Sequence, residues 1–363
     1  MVASVPSSPV HVRDVLDSLA ALGNRAAAWD PYGLQLGDPG KEVSRLGVCH
    51  EVTDAVLEKS ADVDLLITYH PLLFKPVTTL LAGPGPQGRA YQLIRSGVSL
   101  AVVHTAWDAA VGGASDALAA IVGLREVEPF GGLEGSPELK LVTFVPPDDL
   151  DGVVAALTAA GAGRIGNYTA CSFRSEGVGT FFPGTGSSPT TGAKGELNQV
   201  AEIRLEMRVG FGGRDRAVAA LLKSHPYEEP AFDVYEISSG SAMIGRVGEF
   251  AISFSDLVEL LTREFGPQIR VAGRDRAVRR AAVIPGSGGS FVREARSLGA
   301  NVLITGDVSH HQMRGALDLG VAVIDVGHAP SERPGVAALV EAAAKIGPEM
   351  VEVDVDPTPW RSR

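Results

Sequence analysis

Leu65-Leu-Ile-Thr-Tyr-His-Pro-Leu-Leu-Phe74 decides how the rest of the chain is read. It begins as an apolar, β-branched run and stops at Tyr69-His70-Pro71. A short apolar run bounded by a breaker reads as a buried strand. Pro71 has no amide hydrogen and biases His70 away from helix, so the strand ends there. In open α/β sheets, ligands bind beyond the carboxyl ends of the strands. Two other runs end the same way. Val98-Ser-Leu-Ala-Val-Val103 runs into His104, with Asp108 four residues on. Val321-Ala-Val-Ile-Asp-Val326 runs into Gly327-His328, with Glu332 four residues past the histidine. Three strand ends that deliver imidazole or carboxylate point to one metal site.

Around these runs the chain alternates strand and helix. Val10, Val12, Val15, Leu16, Leu19 and Leu22 have helical spacing. Residues 28–38 form a turn-rich loop, in which Trp29 reads as a core anchor rather than a ligand-stacking residue. Residues 46–49 predict a strand with His50 just past its end, and 53–60, 88–96 and 114–122 predict helices. That alternation demands a mainly parallel sheet. A Gly/Ser/Pro stretch at 131–137 marks a boundary. Beyond it the order is β-α-β-β-α-β, of which three strands, at 139–145, 201–209 and 232–237, and both helices, at 148–160 and 214–224, are placed, with 177–194 as an exposed loop. This order fits a ferredoxin-like insert. A second break at 238–241 returns the chain to α/β pattern. Residues 255–265 predict a helix with Ser255 as N-cap. Strands at 281–284 and 302–305 follow, then a helix from His310-His311 to Leu319, and a last helix over 336–345. The resulting division is 1–134, 138–237 and 241–363.

Composition bounds the function. The chain has 363 residues, 45% hydrophobic and 21% charged, ordinary values for a globular protein. Its net charge of −11 argues against nucleic-acid or anionic-membrane binding, and the cluster Arg274, Arg276, Arg279 and Arg280 reads as a solvated face. Cys49 and Cys171 build neither a disulfide framework nor a metal knuckle. The N-terminus lacks the basic region and apolar stretch of a signal peptide. No apolar run approaches the ~18 residues of a membrane span. A reduced, cytoplasmic setting is expected.

Mixed imidazole and carboxylate ligation by His70, His104, Asp108, His311, His328 and Glu332 suits Zn, Mn, Fe or Ni. Carboxylates such as Asp108 and Glu332 bridge cations in two-metal sites. Gly286-Ser-Gly-Gly-Ser290 lies between a strand and a helix, where backbone amides suit an anion. It is neither a dinucleotide fingerprint nor a P-loop, and reads better as a tight turn. There is no GxSxG motif, and neither cysteine has an activating context.

The chain resembles the Nif-three-like family, whose members are often labelled GTP cyclohydrolase 1 type 2 homologues. Trp29-Asp-Pro-Tyr-Gly-Leu-Gln-Leu-Gly-Asp38, Thr68-Tyr-His-Pro-Leu-Leu-Phe74, His104-Thr-Ala-Trp-Asp-Ala-Ala110, Gly245-Arg-Val-Gly-Glu249, Thr305-Gly-Asp-Val-Ser-His-His311 and Gly327-His-Ala-Pro-Ser-Glu332 carry the resemblance in order. Gly163-Arg-Ile-Gly-Asn-Tyr168 and His225-Pro-Tyr-Glu-Glu-Pro-Ala231 look like the PII/CutA-like domain of longer members. The resemblance implies an α/β fold of two halves interrupted by a ferredoxin-like α+β insert. It implies a homohexamer, a trimer of dimers, and a dinuclear metal centre at the mouth of the fold, which departures from the family pattern leave at one or two divalent ions per subunit. By position His70, Asp108, His328 and Glu332 match metal ligands, Glu332 bridging, while His104 and His311 match catalytic pocket histidines. Tyr69 departs from the pattern, standing where the family usually has a second histidine and where the second metal should be ligated. Cys49-His50-Glu51 departs too, and His50 is a candidate to replace the missing imidazole.

The implied activity is metal-dependent hydrolysis, with activated water attacking a purine ring carbon of a nucleotide such as GTP. His104 or His311 would shuttle protons. The alternative is a non-catalytic metal-binding scaffold or regulator with the insert as sensor. Product formation from GTP by the metal-loaded protein discriminates the two.

Overall fold

The chain's first sheet explains why the opening stretch is so uniformly apolar. Leu65–Thr68 is buried along its length and pairs in parallel with Arg45–Cys49 on one side and Ser99–Val102 on the other. A parallel strand covered on both faces has no solvent side, so its sequence does not alternate. The computed structural model describes residues 9–22, 26–134, 138–165, 168–210, 213–237 and 240–356. Among these, the first sheet runs in the order Gly33–Leu36, Ser99–Val102, Leu65–Thr68, Arg45–Cys49, Glu349–Val351. Only Gly33–Leu36 runs antiparallel, at one edge.

A six-stranded sheet takes most of its strands from the second half. Its order is Arg270–Ala272, Ala322–Asp325, Val302–Gly306, Ala277–Ser287, Ser241–Ser253, Arg125–Glu134. The three strands Ala322–Asp325, Val302–Gly306 and Ala277–Ser287 are mutually parallel. Ser241–Ser253 and Arg125–Glu134 extend the sheet antiparallel, so the first half supplies the edge strand. Neither strand was expected from the sequence. Arg125–Glu134 contains Pro129 and a Gly pair, which an edge strand tolerates and a central one does not.

The helix His328–Ala344 joins these sheets. Val336, Leu339 and Ala343 enter the core with Leu46 and Val48 of the first sheet. Gly335 lets the helix approach Ala114–Val122, since a β-carbon there would lie 2.4 Å from Ala114 Cβ. Trp107 Nε1 donates to the Gly335 carbonyl at 2.8 Å. The sequence pattern predicts this last helix at 336–345, with Pro330 and Pro334 just ahead of that start. The structure corrects that. Pro330 lies in the first turn, where helix amides have no intrahelical acceptor, and tertiary bonds hold that turn. Ser331 Oγ accepts from Gly286 N at 2.8 Å and donates to His328 O at 2.6 Å.

Ser136–Gly240 is a separate compact unit. Its antiparallel sheet runs Ser172–Phe181, Asn198–Gly210, Glu138–Val145, Phe232–Ile237, the ferredoxin-like order. Leu150–Ala159 and Arg214–Ser224 supply Val153, Leu157, Ala217 and Leu221 to its core. Ser172–Phe181 takes the first part of what reads as a loop at 177–194. This strand is mostly exposed, and its continuous ladder with Asn198–Gly210 holds it without an apolar pattern. The helix at 255–265 begins one residue earlier, at Phe254, and is capped by Ser253, whose Oγ accepts from Asp256 N at 3.0 Å, not by Ser255. No helix among the described residues is long and apolar enough to cross a membrane.

Candidate metal centre

The parallel ladder continues for one or two residues past the strands, and this aligns the site. Tyr69 N donates to Cys49 O and His70 N to His50 O, both at 2.9 Å, while His104 N donates to Tyr69 O at 3.0 Å. His50, Tyr69-His70 and His104 therefore stand side by side at one sheet edge. Their rings interlock: His50 and His70 centroids are 4.8 Å apart, and His70 and His104 5.1 Å. His328 and Glu332 approach from the first turns of the helix His328–Ala344, one above the other by the i, i+4 spacing.

Glu332 is the hub. It is 3% exposed. Its Oε2 lies 2.7 Å from His50 Nε2 and 3.1 Å from His70 Nε2, and its Oε1 lies 3.1 Å from His328 Nε2. Burial alone would raise its pKa, but hydrogen bonds from His328, His50 and His70 outweigh that and hold the carboxyl well below its usual range. The hydrogen bond to Glu332 is the main reason His328 is pushed up to about 9, with Asp307 adding to it from 2.8 Å at Nδ1. An outer carboxylate on a ligand's second nitrogen is the usual support for a metal-binding imidazole.

Asp108 and Tyr69 form a second buried pair. The Tyr69 hydroxyl donates to Asp108 Oδ1. Burial pushes Asp108 up to about 7 against the opposing Tyr69 hydrogen bond, and burial with the nearby carboxylates raises Tyr69 well above its ordinary value. His104 Nδ1 meets Asp30 Oδ1 at 3.0 Å; burial lowers the His104 pKa, but this bond together with the charges of Asp30, Asp108 and Glu332 raises it overall.

One group of three ligand atoms within 4.8 Å of one another is present among the described residues: His50, His70 and Glu332. An imidazole pair with a carboxylate fits a cation such as Zn, Mn, Fe or Ni. Of the residues named from sequence, His70, His328 and Glu332 meet here. Tyr69, Asp108 and His104 line the same edge. His311 is exposed on the first turn of His310–Asp318 against His310, and joins no hydrogen bond or ring contact of this cluster. Asp30 and Asp307, which orient His104 and His328, carried no signal beyond lying in the matched stretches. Trp29 is corrected from core anchor to surface ring: it is 56% exposed, stacked on Phe74 at 6.0 Å and edge-on to His104 at 5.8 Å. Cys49 is an inert thiol, pushed to about 12 by burial.

The glycine-rich turn is structural. Gly286 N is taken by Ser331 Oγ, and Gly288 N by Thr305 Oγ1, each at 2.8 Å. Gly286 has φ +65°, and a β-carbon on it would lie 2.6 Å from Glu332 Oε1. Gly286→Ala is therefore expected to cost about 1–2 kcal/mol from the left-handed backbone and to displace Glu332. Zinc titration calorimetry should show weaker binding than wild type; unchanged affinity would mean the turn does not position the carboxylate.

The metal-free protein should lose stability as pH rises from 6.5 to about 9. His328 has a folded pKa above its ordinary value of 6.5, so its contribution is complete below 6.5 and gone above about 9. Glu332, with a depressed folded pKa, contributes throughout that window and loses its contribution only in acid, below its ordinary 4.5. Thermal melts with chelator read this directly, and a midpoint rising across the window would contradict it.

An α/β fold whose parallel strands and one helix gather imidazoles around a buried carboxylate defines a candidate metal-binding protein. The family model described as Duf34/NIF3 (NGG1p interacting factor 3) matches residues 10–359. The chain belongs to this family. It is 33% identical over 311 residues to a Halalkalibacterium halodurans protein named GTP cyclohydrolase 1 type 2 homolog, covering 84% of each chain. A Mycobacterium tuberculosis protein of the same name is 36% identical over 337 residues, covering 90% of this chain and 89% of that one. Among solved structures, a Bacillus cereus protein related to NIF3 superposes with TM-score 0.65 at 28% identity, covering 98% of this chain and 100% of that chain. A Staphylococcus aureus protein follows at TM-score 0.63 and 26% identity, with the same coverage.

Proposed function

We propose that this protein binds a divalent cation among His50, His70 and Glu332 and is a metal-dependent hydrolase of the GTP cyclohydrolase 1 type 2 kind. The observation that carries the proposal is the buried Glu332 carboxyl with three imidazole Nε2 atoms directed at its oxygens. The name shared by the relatives supports the reaction class. A cation held there supplies Lewis acidity. The chain's own groups divide the remaining work. His104 donates a hydrogen bond from Nδ1 to Asp30 Oδ1, which leaves Nε2 to take or return a proton. Trp29 and Phe74, both more than half exposed, flank His104 and offer an apolar face for a planar purine ring.

The test is incubation of the metal-reconstituted protein with GTP, following ring-opened or pterin products. Turnover that disappears in Glu332→Ala supports the enzyme. Absence of turnover with Zn, Mn, Fe and Ni supports the second reading, a metal-binding scaffold without catalysis. Tyr69 favours that second reading, because it replaces an imidazole and engages Asp108.

A further inference from the structure

The resemblance implies a pair of cations, and the residues present do not fit a pair. We infer that the centre of this chain is mononuclear, with His50 as an imidazole ligand and the Tyr69–Asp108 hydrogen bond closing the place of a second cation. The inference rests on the metal-binding reading above and specifies it.

Two buried groups exchange roles. Tyr69 precedes His70, so it carries a side chain to the sheet edge next to a ligand. There it presents a hydroxyl, which is outside the imidazole, thiolate and carboxylate donors these cations take. That hydroxyl donates to Asp108, which occupies the carboxylate a second cation would need. Tyr69 is fully buried and Asp108 7% exposed, so solvent offers neither a replacement partner. Opening the position therefore means breaking a hydrogen bond inside the protein.

His50 supplies the missing imidazole from the neighbouring strand. Its Nε2 converges with that of His70 on the same oxygen of Glu332. The arrangement is held from two sides. Asp354 Oδ1 accepts the His50 backbone amide at 2.9 Å. The Tyr69 ring lies nearly parallel to the His50 ring, 5.5 Å between centroids and 9° between planes. Tyr69 is thus a positioning residue for His50. Its ring orients the imidazole while its hydroxyl occupies Asp108. Among the described residues, no group of three donors close enough for a cation includes Asp108.

Metal content tests the inference. The full chain is loaded with zinc alone, freed of excess by gel filtration, and measured by plasma mass spectrometry and titration calorimetry. Wild type is expected to hold one zinc per chain. His50→Gln, which keeps side-chain bulk, and His50→Ala should each bind at least about 100-fold more weakly, with far-ultraviolet circular dichroism unchanged for the former. Tyr69→Phe keeps the ring stack and should still hold one. Tyr69→His should hold two. Two ions on wild type overturn the inference while leaving the metal-binding reading intact. His50 variants that retain their ion at full affinity overturn it and also remove His50 from that reading, leaving a cation held by the other donors. No ion on wild type overturns both.

Discussion

Glu332→Ala should release the cation and leave the fold standing. In metal-loaded protein the carboxylate is one of three converging donors, so its removal is expected to weaken binding by more than about 100-fold. The fold should survive because the three partners are imidazoles. Each can shed its proton and become neutral, so no uncompensated charge has to stay buried. His70 and His328 also reach solvent, being 19% and 37% exposed at the side chain. Calorimetric titration with zinc beside a thermal melt with chelator separates the two effects. Near-wild-type affinity in the variant would remove Glu332 from the site. Unfolding at ordinary temperature would show that the carboxylate is structural first.

Asp116→Ala should destabilise the protein by about 3 kcal/mol, near the low end for breaking a buried pair because Asp116 is partly exposed. Arg246 is 6% exposed at the side chain and gives its Nε hydrogen to Asp116. Its remaining donors reach the carbonyls of Met243 at 3.0 Å, Gly245 at 2.9 Å and Ala110 at 3.2 Å. Those carbonyls satisfy hydrogens without neutralising the charge. The Asp116→Ala, Arg246→Met double variant should recover part of the loss, since the stranded guanidinium goes with its partner. Urea unfolding of the single and double variants decides the matter; a double variant less stable than the single would contradict the argument. The effect extends toward the site, because Ala110 ends the helix that carries His104 and Asp108.

The legible parts of the fold were those where local chemistry and tertiary structure agree. The apolar runs at 65–68 and 302–306 are buried parallel strands, and each is followed by its polar residues at the carboxyl edge. The insert's helix Arg214–Ser224 and strand Phe232–Ile237 lie where their periodicity places them. The strands that escaped notice are held by ladders rather than by side chains. Ser172–Phe181 and Arg125–Glu134 are edge strands rich in Gly, Ser or charge, and such composition also describes loops. The early start of His328–Ala344 was hidden by two prolines, whose cost is offset by contacts that only the folded chain supplies.

The site follows the same division. His70, His328 and Glu332 could be named because each follows an apolar run or matches a spaced motif. The place of His50 was open, because a histidine after a strand has many uses, and only the register of Arg45–Cys49 against Leu65–Thr68 sets it beside His70. The same register turns Tyr69 from an odd residue in a motif into the neighbour that stacks on His50. Trp29 was misjudged because a large aromatic in a turn-rich segment is usually buried, and here the loop carries it to the surface beside His104.

An anomalous difference map from a crystal grown with manganese, recorded at the manganese edge, reaches the central claim most directly. The account predicts one peak per chain, bounded by the Nε2 atoms of His50 and His70 and by Glu332. A map empty at that place, or a peak held by other side chains such as His311, would contradict it.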